Sequence, residues 1–595
     1  MLSSVLRSLS LIALAVALIL PYAVTNHTYP IPTFYSEFTA FGLYALLSVI
    51  VTLMLRGERA VRSFSAPRAW SAPLAFGVVL IAQTVLLPLS QPSMNWLALG
   101  YLLASLSSMQ SGYLLGRIHS VETVTRVMAG ALIVGGVFAV GCQVAQLLHL
   151  EHTFSPFVVS YSVRVNRRPY GNLAQANHLA SYIAFALAST LYLAQSRRLL
   201  AWGWLLRSIV LSAGLAFTVS RGPWLQVAVM VVAGLWAALS PAQRGQEGLG
   251  KTWLYPLALA AVFVIVNIVV RWANVHYHLG LAESASERMR DAGQIAPRLA
   301  LWKYGLTMFR EHPWLGVGWG EFPLYQLKLV CTLGGVEIAN NSHDIFIDLL
   351  VKSGVLGLGM LLVPLLLWLA RALRVPTTVE RIYGFGLIGV LLIHALVEYP
   401  QQYTFFTLPA MFVIGLLEIQ PLRMLPGHIA HGVFAIVSVV ALLALYPVLR
   451  DYQHAEVLYY GSNPVEQYRA APSFLFGAWG EYGAATLMPI SRDNLHAKLA
   501  AHQHALALIP GETVLRRYAV LEALDGRESD ALDTVTRLKI FAEVLHDWPT
   551  QLTALYKLVD AQPLLTSFQQ SLVSRYGKPV GVASKNEQYS DASDE

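Results

Sequence analysis

Residues 345–370 read IFIDLLVKSGVLGLGMLLVPLLLWLA and follow directly on Asn340-Asn341-Ser342-His343-Asp344. A run of about 20 predominantly apolar residues crosses the hydrocarbon core of a bilayer, so this stretch predicts a membrane-spanning helix. His343 then lies at the mouth of that helix, at the boundary between lipid and water. An ionisable side chain in such a place is a candidate functional group.

The composition extends this interpretation to the whole chain. Of its 595 residues, 55% are hydrophobic and 13% are charged, and the mean hydropathy is +0.53. These values exclude an ordinary soluble enzyme of this length. We therefore predict an all-α integral membrane protein with about thirteen transmembrane helices. The predicted spans are residues 8–24, 38–55, 73–90, 96–116, 127–148, 178–195, 200–219, 223–240, 254–272, 345–370, 383–398, 404–420 and 429–449.

The positions of Lys and Arg predict how the spans are oriented. Alternate short loops are rich in basic residues, whereas the intervening short loops at 25–37, 91–95 and 399–403 contain none. Basic residues accumulate in cytoplasmic loops, so the N-terminus is predicted to be cytoplasmic. The net charge of +7 then reflects membrane orientation rather than nucleic-acid binding. The basic loops contain Arg56, Arg59, Arg62, Arg68, Arg117, Arg126, Arg197, Arg198, Arg244, Lys251, Arg371, Arg374, Arg381 and Arg423.

The same orientation places three longer segments on the outer side. After residue 450, polar residues return and apolar residues recur at spacings of three and four, which predicts a soluble, mostly helical domain. We predict a membrane domain over residues 1–450, the helical domain over residues 451–576 and a disordered tail over residues 577–595. The three outer segments are residues 149–177, residues 273–343 and those after 450.

Several polar residues fall on the outer side at or near predicted helix ends or in the long loop. Each has an alternative interpretation: Arg221 as an interfacial anchor, Arg298 as a surface charge of a soluble loop, and His178 as a structural residue beside a capping Asn177. No comparable grouping of His and Glu lies on the cytoplasmic side. The candidates are Gln175, Asn177, His178, Arg221, Arg298, Trp302, His343, His394, Glu398 and Tyr399.

His394 and Glu398 are four residues apart, which puts both on one face of a helix near the membrane surface. Ionisable residues in that position are candidates for function. The alternative is that they pair with each other or with an arginine to hold helices together.

His343 is the strongest candidate. If Ser342 caps the following helix, His343 occupies its first turn, where the positive end of the helix dipole favours a neutral imidazole. A neutral imidazole is what a general base requires. Asp344 and Asp348 favour the charged ring instead, so the protonation state stays open at this point. The alternative is a histidine that is merely interfacial.

The order of these motifs resembles the bacterial O-antigen ligases, the related O-antigen polymerases and especially the PglL-type protein O-oligosaccharyltransferases. The resemblance covers about Gln175 to Glu418 of the membrane portion. Each motif alone is weak, but their order, spacing and shared outer location are fairly specific. The motifs are Gln175-x-Asn177-His178, Ser220-Arg221-Gly222, Arg298-x-x-x-Trp302, His312-Pro313-x-x-Gly316-x-Gly318, Ser342-His343 and His394-x-x-x-Glu398-Tyr399-Pro400.

The resemblance implies an enzyme of the bacterial inner membrane that transfers a preassembled glycan from undecaprenyl pyrophosphate to an acceptor on the periplasmic face. It implies that His343 is the essential histidine and that Arg221 and Arg298 engage the diphosphate. Family members commonly have Asn after the histidine, whereas this chain has Asp344. The long loop 273–343 and the helical domain would then be periplasmic.

The expected chemistry needs no cofactor and no metal ion. Pyrophosphate is already a charged leaving group, so cations aimed at it matter more than an acid, and Arg guanidinium matches phosphate oxygens. His343 would accept the acceptor's proton, and Glu398 would orient His343 or an arginine. The expected reaction is one displacement with inversion at the sugar, because no second residue is evidently placed as a covalent nucleophile. The expected substrate-binding residues are Gln175, Asn177, His178, Trp302, His394 and Tyr399.

The functions within this family differ in the acceptor that receives the glycan. The Gln175-x-Asn177-His178 motif and the domain after the last span favour Ser or Thr of a protein such as a pilin. The alternatives are an O-antigen ligase acting on lipid A core or an O-antigen polymerase. A lipid-linked sugar flippase is the non-enzymatic alternative, against which we find no inverted repeat in the sequence. A structural anchor would not need so many spans.

Overall fold

The structure is a computed structural model that describes residues 2–55, 64–160, 168–240, 252–282, 296–424, 426–460 and 465–577. Over these residues the chain is almost entirely α-helical. The strands found there are β1 (Ser65–Ala66) and β2 (Leu422–Arg423), which pair antiparallel. The predicted all-α class is therefore confirmed.

Each predicted span overlaps a helix. Two further helices, Ala296–Glu311 and Phe322–Leu333, lie inside the segment 273–343 that was predicted as a long loop. Eight helical stretches in the described ranges are long and apolar enough to cross a membrane, so the integral membrane class is confirmed as well. The total of thirteen spans stays a prediction. The helices are α1 (Leu2–Ala17), α2 (Phe34–Leu55), α3 (Ser71–Leu86), α4 (Pro92–His119), α5 (Val121–Leu147), α6 (Ala176–Gln195), α7 (Ala201–Phe217), α8 (Gly222–Leu239), α9 (Leu254–Tyr277), α10 (Ala296–Glu311), α11 (Phe322–Leu333), α12 (Ile345–Leu373), α13 (Val379–Ala395), α14 (Thr404–Leu416) and α15 (Gly427–Leu443).

Helix α6 lies at the centre of the bundle. Almost all of its residues are buried, and it packs against α5, α7, α8 and α13. Its many Ala and Ser side chains allow these neighbours to approach closely, which is the usual way in which helices associate where lipid replaces water. The first turn of α6 is therefore surrounded by the ends of other helices.

Helix α12 is broken at Gly354, whose backbone has φ 66° and ψ −172°. The segment 312–318 lies across this break: Val317 N–H donates to Val351 O at 2.8 Å, and Val355 N–H donates to Pro313 O at 2.9 Å. A Cβ at Gly354 would lie 2.1 Å from Trp314 O. The segment that contains the His312-Pro313-x-x-Gly316-x-Gly318 motif therefore packs against α12 at the break and bonds to its backbone on both sides.

We expect Gly354→Ala to destabilise the folded protein by about 1–3 kcal/mol, because alanine rarely adopts this backbone conformation and its methyl group has no room. The melting temperature of the detergent-solubilised protein measures the effect. Gly359→Ala on the same helix is the matched control, since nothing lies within 4 Å of a Cβ built there. Equal melting temperatures for the two variants would contradict the account of the break.

Residues between Ala485 and Leu572 form a second buried core. Leu327 and Val330 of α11 belong to this core, so the segment between α9 and α12 is packed against the C-terminal helices. The boundaries at 450 and 576 stay predictions, and of the predicted tail only Gly577 lies within the described residues. The C-terminal helices are α16 (Leu445–Tyr459), α17 (Val465–Ala470), α18 (Gly477–Leu487), α19 (Leu495–Leu508), α20 (Glu512–Leu524), α21 (Glu528–Val544), α22 (Trp548–Asp560) and α23 (Thr566–Tyr576).

Candidate functional site

Four separate segments of the chain meet at the carboxylate of Glu398. Its Oε1 accepts hydrogen bonds from Arg298 Nη2 and Asn177 Nδ2, both at 3.0 Å. Its Oε2 lies 3.0 Å from His343 Nδ1. The Glu398 side chain is 6% exposed, so both oxygens are paired inside the protein. The structure thus brings together four of the residues singled out from the sequence.

Helix ends position these residues. Asn177 lies in the first turn of α6 and Arg298 in the first turn of α10, while His343 precedes α12 and Glu398 follows α13. Arg298 and Trp302 were expected in a loop, and that expectation is wrong. The buried face of α10, which includes Leu301, Tyr304 and Met308, packs into its own apolar cluster and stabilises the helix.

The N-terminus of α12 is capped by Asp344, so the condition that Ser342 caps this helix is not met. Asp344 Oδ1 accepts from the backbone amides two and three residues later, at 3.0 and 2.9 Å. A carboxylate caps as well as a hydroxyl and also interacts favourably with the helix dipole. Asn could accept the same bonds, so Asp344 can replace the Asn that the resemblance leads one to expect.

His343 therefore lies before the cap and not in the first helical turn. Its backbone has φ +57°, and its N–H donates to Asn341 Oδ1 at 3.1 Å. A left-handed backbone at a residue other than glycine is uncommon and concentrates at functional sites. This conformation turns the imidazole towards Glu398, and the side chain is 18% exposed.

Asn177, considered as a possible cap, does not cap α6, because the helix begins one residue earlier and Gln175 is the N-cap residue without a side-chain cap bond. Asn177 Oδ1 instead accepts from Arg168 Nη2 at 2.9 Å and from Ser220 Oγ at 2.8 Å. Arg168 Nε also donates to Thr218 O at 3.1 Å. Arg168 thus holds the turn before α8 against the start of α6.

A cavity of about 360 Å³ lies beside these groups. Three guanidinium groups line it, together with the His343 ring and two carboxylates, Glu337 and Glu398. This volume falls in the usual range for small-ligand sites, which is about 300–1,000 Å³. The arginines are Arg168, Arg221 and Arg298.

Sequence reasoning missed Arg168. A signal was present, since Arg164, Arg167 and Arg168 lie together in a segment that the orientation places on the outer side. Basic residues are scarce in short outer loops, so such a cluster calls for an explanation other than topology. Arg164 and Arg167 lie outside the described residues.

The other predicted residues lie around the cavity to different degrees. His394 lines it, and its Nδ1 is 2.8 Å from Ser181 Oγ, which also accepts from Gln226 Nε2 at 2.7 Å. The ring of Tyr399 contacts His343 edge to face, with centroids 5.1 Å apart. Helix α13 ends at Ala395, so Glu398 lies beyond it, but Glu398 N–H still donates to His394 O at 2.9 Å and both side chains line the cavity.

Gln175, His178 and Trp302 do not line the cavity. His178 is buried and packs on the ring of Tyr403, with centroids 4.5 Å apart. Gln175 and Trp302 are half-buried, each with a buried polar atom that has no hydrogen-bond partner among the described residues. Their predicted role in substrate binding stays a prediction without support from the position of the cavity.

The carboxyl of Glu398, which lies beyond the end of α13, has an altered pKa. Burial by itself raises this pKa, but the hydrogen bond and attraction of His343 and the charge of Arg298 outweigh it. The pKa of Glu398 therefore lies below its ordinary value of 4.5. The group is a carboxylate throughout the neutral and mildly acidic range.

We expect Glu398→Gln to lower the melting temperature at neutral pH, because the charge-assisted bonds are lost. A carboxyl with a lowered folded-state pKa contributes stability that is present above its unfolded pKa and is lost as pH falls through the folded value. The difference between wild type and Glu398→Gln should therefore shrink below pH 4.5. Thermal unfolding in detergent across pH checks this, and a difference that grew towards acid pH would contradict it.

Comparisons with known proteins match three regions of the chain to protein families. A family model described as O-antigen ligase matches residues 206–362, and one described as protein glycosylation ligase matches residues 169–194. A third, described as the C-terminal part of a virulence factor membrane-bound polymerase, matches residues 382–553. The four residues that meet at the Glu398 carboxylate all fall inside these three regions.

Two curated relatives extend the likeness beyond these regions. The chain is 25% identical over 472 residues to the general O-oligosaccharyltransferase of Acinetobacter baylyi, which covers 76% of this chain and 77% of the relative. It is 24% identical over 318 residues to the ComP-specific O-oligosaccharyltransferase of the same organism, covering 52% and 55%. The resemblance to O-antigen ligases and PglL-type oligosaccharyltransferases is confirmed.

The residues around the cavity come from all three matched regions. The protein glycosylation ligase region contributes Asn177, the O-antigen ligase region contributes Arg221, Arg298 and His343, and the third region contributes Glu398. Residues far apart in the sequence thus converge on one carboxylate. Arg168 lies one residue before the protein glycosylation ligase region begins.

Proposed function

We propose that this protein transfers a preassembled oligosaccharide en bloc from undecaprenyl pyrophosphate to Ser or Thr hydroxyls of periplasmic proteins such as pilins. The observation that carries the proposal is the contact of Glu398 with His343 and Arg298 at an arginine-lined cavity. The protein acceptor is favoured because both curated relatives are named O-oligosaccharyltransferases.

His343 is the proposed general base. When Nδ1–H donates to Glu398 Oε2, the lone pair for a proton is on Nε2, and Nε2 takes the proton from the acceptor hydroxyl. The imidazolium that forms is stabilised by the adjacent carboxylate. Glu398 thus orients the ring and offsets its charge without itself accepting the proton.

The arginines are the proposed diphosphate ligands. Arg298 is held at one nitrogen by Glu398, and its side chain is 39% exposed, so its remaining N–H groups can face a ligand in the cavity. Arg221 lines the same cavity at the start of α8. Fixed guanidinium groups stabilise the charge that grows on the departing pyrophosphate and take the place of a metal ion.

The proposed reaction is a single displacement. The acceptor oxygen forms a bond to the anomeric carbon while the bond from that carbon to the phosphate oxygen breaks. The bonding electrons leave with undecaprenyl pyrophosphate, and the proton of the hydroxyl goes to His343 Nε2. This course inverts the configuration at the anomeric carbon.

The proposed setting is the bacterial inner membrane, with thirteen spans and a cytoplasmic N-terminus. The distribution of Lys and Arg supports this orientation. The site, the segment 273–343 and the proposed helical domain over residues 451–576 would then face the periplasm. Pyrophosphate-linked donor and folded acceptor protein would meet at that surface.

O-antigen transfer to lipid A core is the second candidate function, because a model described as O-antigen ligase matches residues 206–362. Mass spectrometry of periplasmic proteins and lipopolysaccharide from bacterial cells with and without the gene separates the two. Loss of glycan-bearing Ser or Thr peptides, restored by the gene, supports protein glycosylation. Loss of O-antigen alone assigns the ligase function.

Sealed vesicles containing the purified protein and a lipid-linked glycan test the remaining alternative. Covalent transfer to an added acceptor protein is expected. Movement of the glycolipid from one leaflet of the vesicle membrane to the other without covalent transfer would show a flippase function and overturn the proposal.

A further inference from the structure

Asp348 connects the two segments that carry His343 and Glu398. Its Oδ1 accepts from the backbone N–H of Ser342 at 3.2 Å, and its Oδ2 accepts from Gln402 Nε2 at 3.1 Å. Ser342 directly precedes His343, and Gln402 lies in the short helical turn Pro400–Gln402 that follows Glu398. A second cross-link therefore runs beside the 3.0 Å contact between His343 and Glu398.

Lys352 balances the charge of Asp348 within the same helix. Its Nζ lies 3.0 Å from Asp348 Oδ2, and both side chains are 4% exposed. The backbone of Lys352 is also held, since Gln83 Nε2 donates to Lys352 O and to Leu315 O, both at 2.6 Å. The pair thus lies next to the break in α12 at Gly354, against which the segment 312–318 packs.

A buried ion pair is by itself weak evidence that the pair stabilises the fold. Taking both charges out of water costs several kcal/mol per ion, and apolar replacements of similar volume are often neutral or stabilising. The Asp348 carboxylate, however, makes two contacts that an apolar side chain cannot make. Each of these contacts fixes one of the segments that carry the site.

We propose that Asp348, charge-balanced by Lys352, is a positioning residue that sets the distance between His343 and Glu398. The Asp348–Lys352 pair acts through its contacts to Ser342 and Gln402 and does not itself touch the substrate. This inference rests on the proposed function, since it assumes that the contact between His343 and Glu398 serves catalysis.

The double variant Asp348→Leu with Lys352→Met tests the proposal while leaving no unpaired buried charge. We expect it to fold, because no unpaired charge is left buried, but with a lower melting temperature, since the buried Ser342 N–H loses its acceptor. We expect kcat for glycan transfer to fall by about 10- to 100-fold, because a small misplacement of reacting groups has an effect of that size. KM for the lipid-linked donor should stay within about twofold. Full activity of the folded double variant would overturn the proposal.

A double-mutant cycle with Glu398→Gln gives a readout that a purely structural role would not produce. If the pair acts through Glu398 and His343, replacing the pair should lower kcat by a much smaller factor in the Glu398→Gln background than in the wild type. Independent, multiplicative losses would contradict the proposal. Gln402→Met, which removes one of the two contacts and no charge, should lower kcat by a smaller factor in the same direction; an unchanged kcat would also count against it.

Glu321 offers a matched control for the loss of a buried carboxylate. It is 3% exposed, and its Oε1 accepts from the backbone N–H groups of Ser90 and Gln91, so it too joins two segments. Neither segment carries a residue of the site. Glu321→Gln should leave kcat within about twofold of the wild type. A loss of kcat as large as that of the Asp348 and Lys352 double variant would show a general structural effect and overturn the inference.

His343→Ala in the same assay separates failure of this inference from failure of the proposed function. If His343→Ala is inactive while the Asp348 and Lys352 double variant is fully active, only the positioning role is wrong. If His343→Ala keeps full activity, the proposed base itself is wrong, and the positioning role falls with it.

Discussion

His343→Ala is expected to lower kcat for glycan transfer by about 10²- to 10⁴-fold, which is the usual contribution of a positioned general base. The Nε2 that would take the acceptor's proton is lost, and Glu398 is left without the ring that it orients. The donor still meets the arginines of the cavity, so its binding should change much less than kcat. Initial rates with purified protein, lipid-linked glycan and an acceptor peptide measure both quantities.

His278→Ala is the matched control for this variant. His278 is the C-cap residue of α9 and has φ +52°. An alanine at residue 278 must therefore adopt the same left-handed backbone conformation as an alanine at residue 343. It does not line the cavity, and its replacement should leave kcat within about twofold of the wild type. Retention of full activity by folded, membrane-inserted His343→Ala would exclude the proposed base.

Arg298→Ala is expected to lower kcat by about 10²- to 10³-fold, which is the usual effect of removing one donor aimed at developing charge. Arg298 contacts Glu398 and lines the cavity, so its loss removes a cation from the diphosphate and a partner from the carboxylate. Arg298→Lys should restore little activity, because a single ammonium group cannot hold Glu398 and present a planar fork to phosphate at once.

Lys303→Ala on α10 is the control for the loss of a positive charge from this helix. Lys303 is exposed and does not line the cavity. Its replacement should change kcat by no more than about twofold. Comparable losses for Lys303→Ala and Arg298→Ala would mean that the net charge of α10, rather than the Arg298 guanidinium, is responsible.

The helical elements of this protein could be predicted because their signal is local. A long apolar run has to form a helix in lipid, where each backbone N–H and C=O must find a partner within the segment. The stretch 345–370 illustrates this, since α12 extends over it from Ile345 to Leu373. Helix α10 was missed because it is less apolar, and α11 because it has only 12 residues. Both gain their stability from packing against other parts of the chain.

Many of the candidate site residues could be singled out for a related reason. An ionisable side chain at a membrane helix end is costly unless it has a partner or a function, so His343, Arg221 and Glu398 stand out in an apolar sequence. The contacts between them could not be predicted. Asp344 and Ser342 are both good capping residues, and sequence alone did not decide which of them caps α12.

By itself, the sequence determined the membrane class and the helical content, and it singled out the residues that are proposed to hold a diphosphate and accept a proton. Only the tertiary structure decided that Glu398 contacts His343, Arg298 and Asn177 together, and that Arg168 and Asp348 brace the surrounding segments. The physical reason is the range of the interactions. Hydrophobicity acts along each segment, whereas a hydrogen bond of 3.0 Å between Asn177 and Glu398 depends on the packing of whole helices.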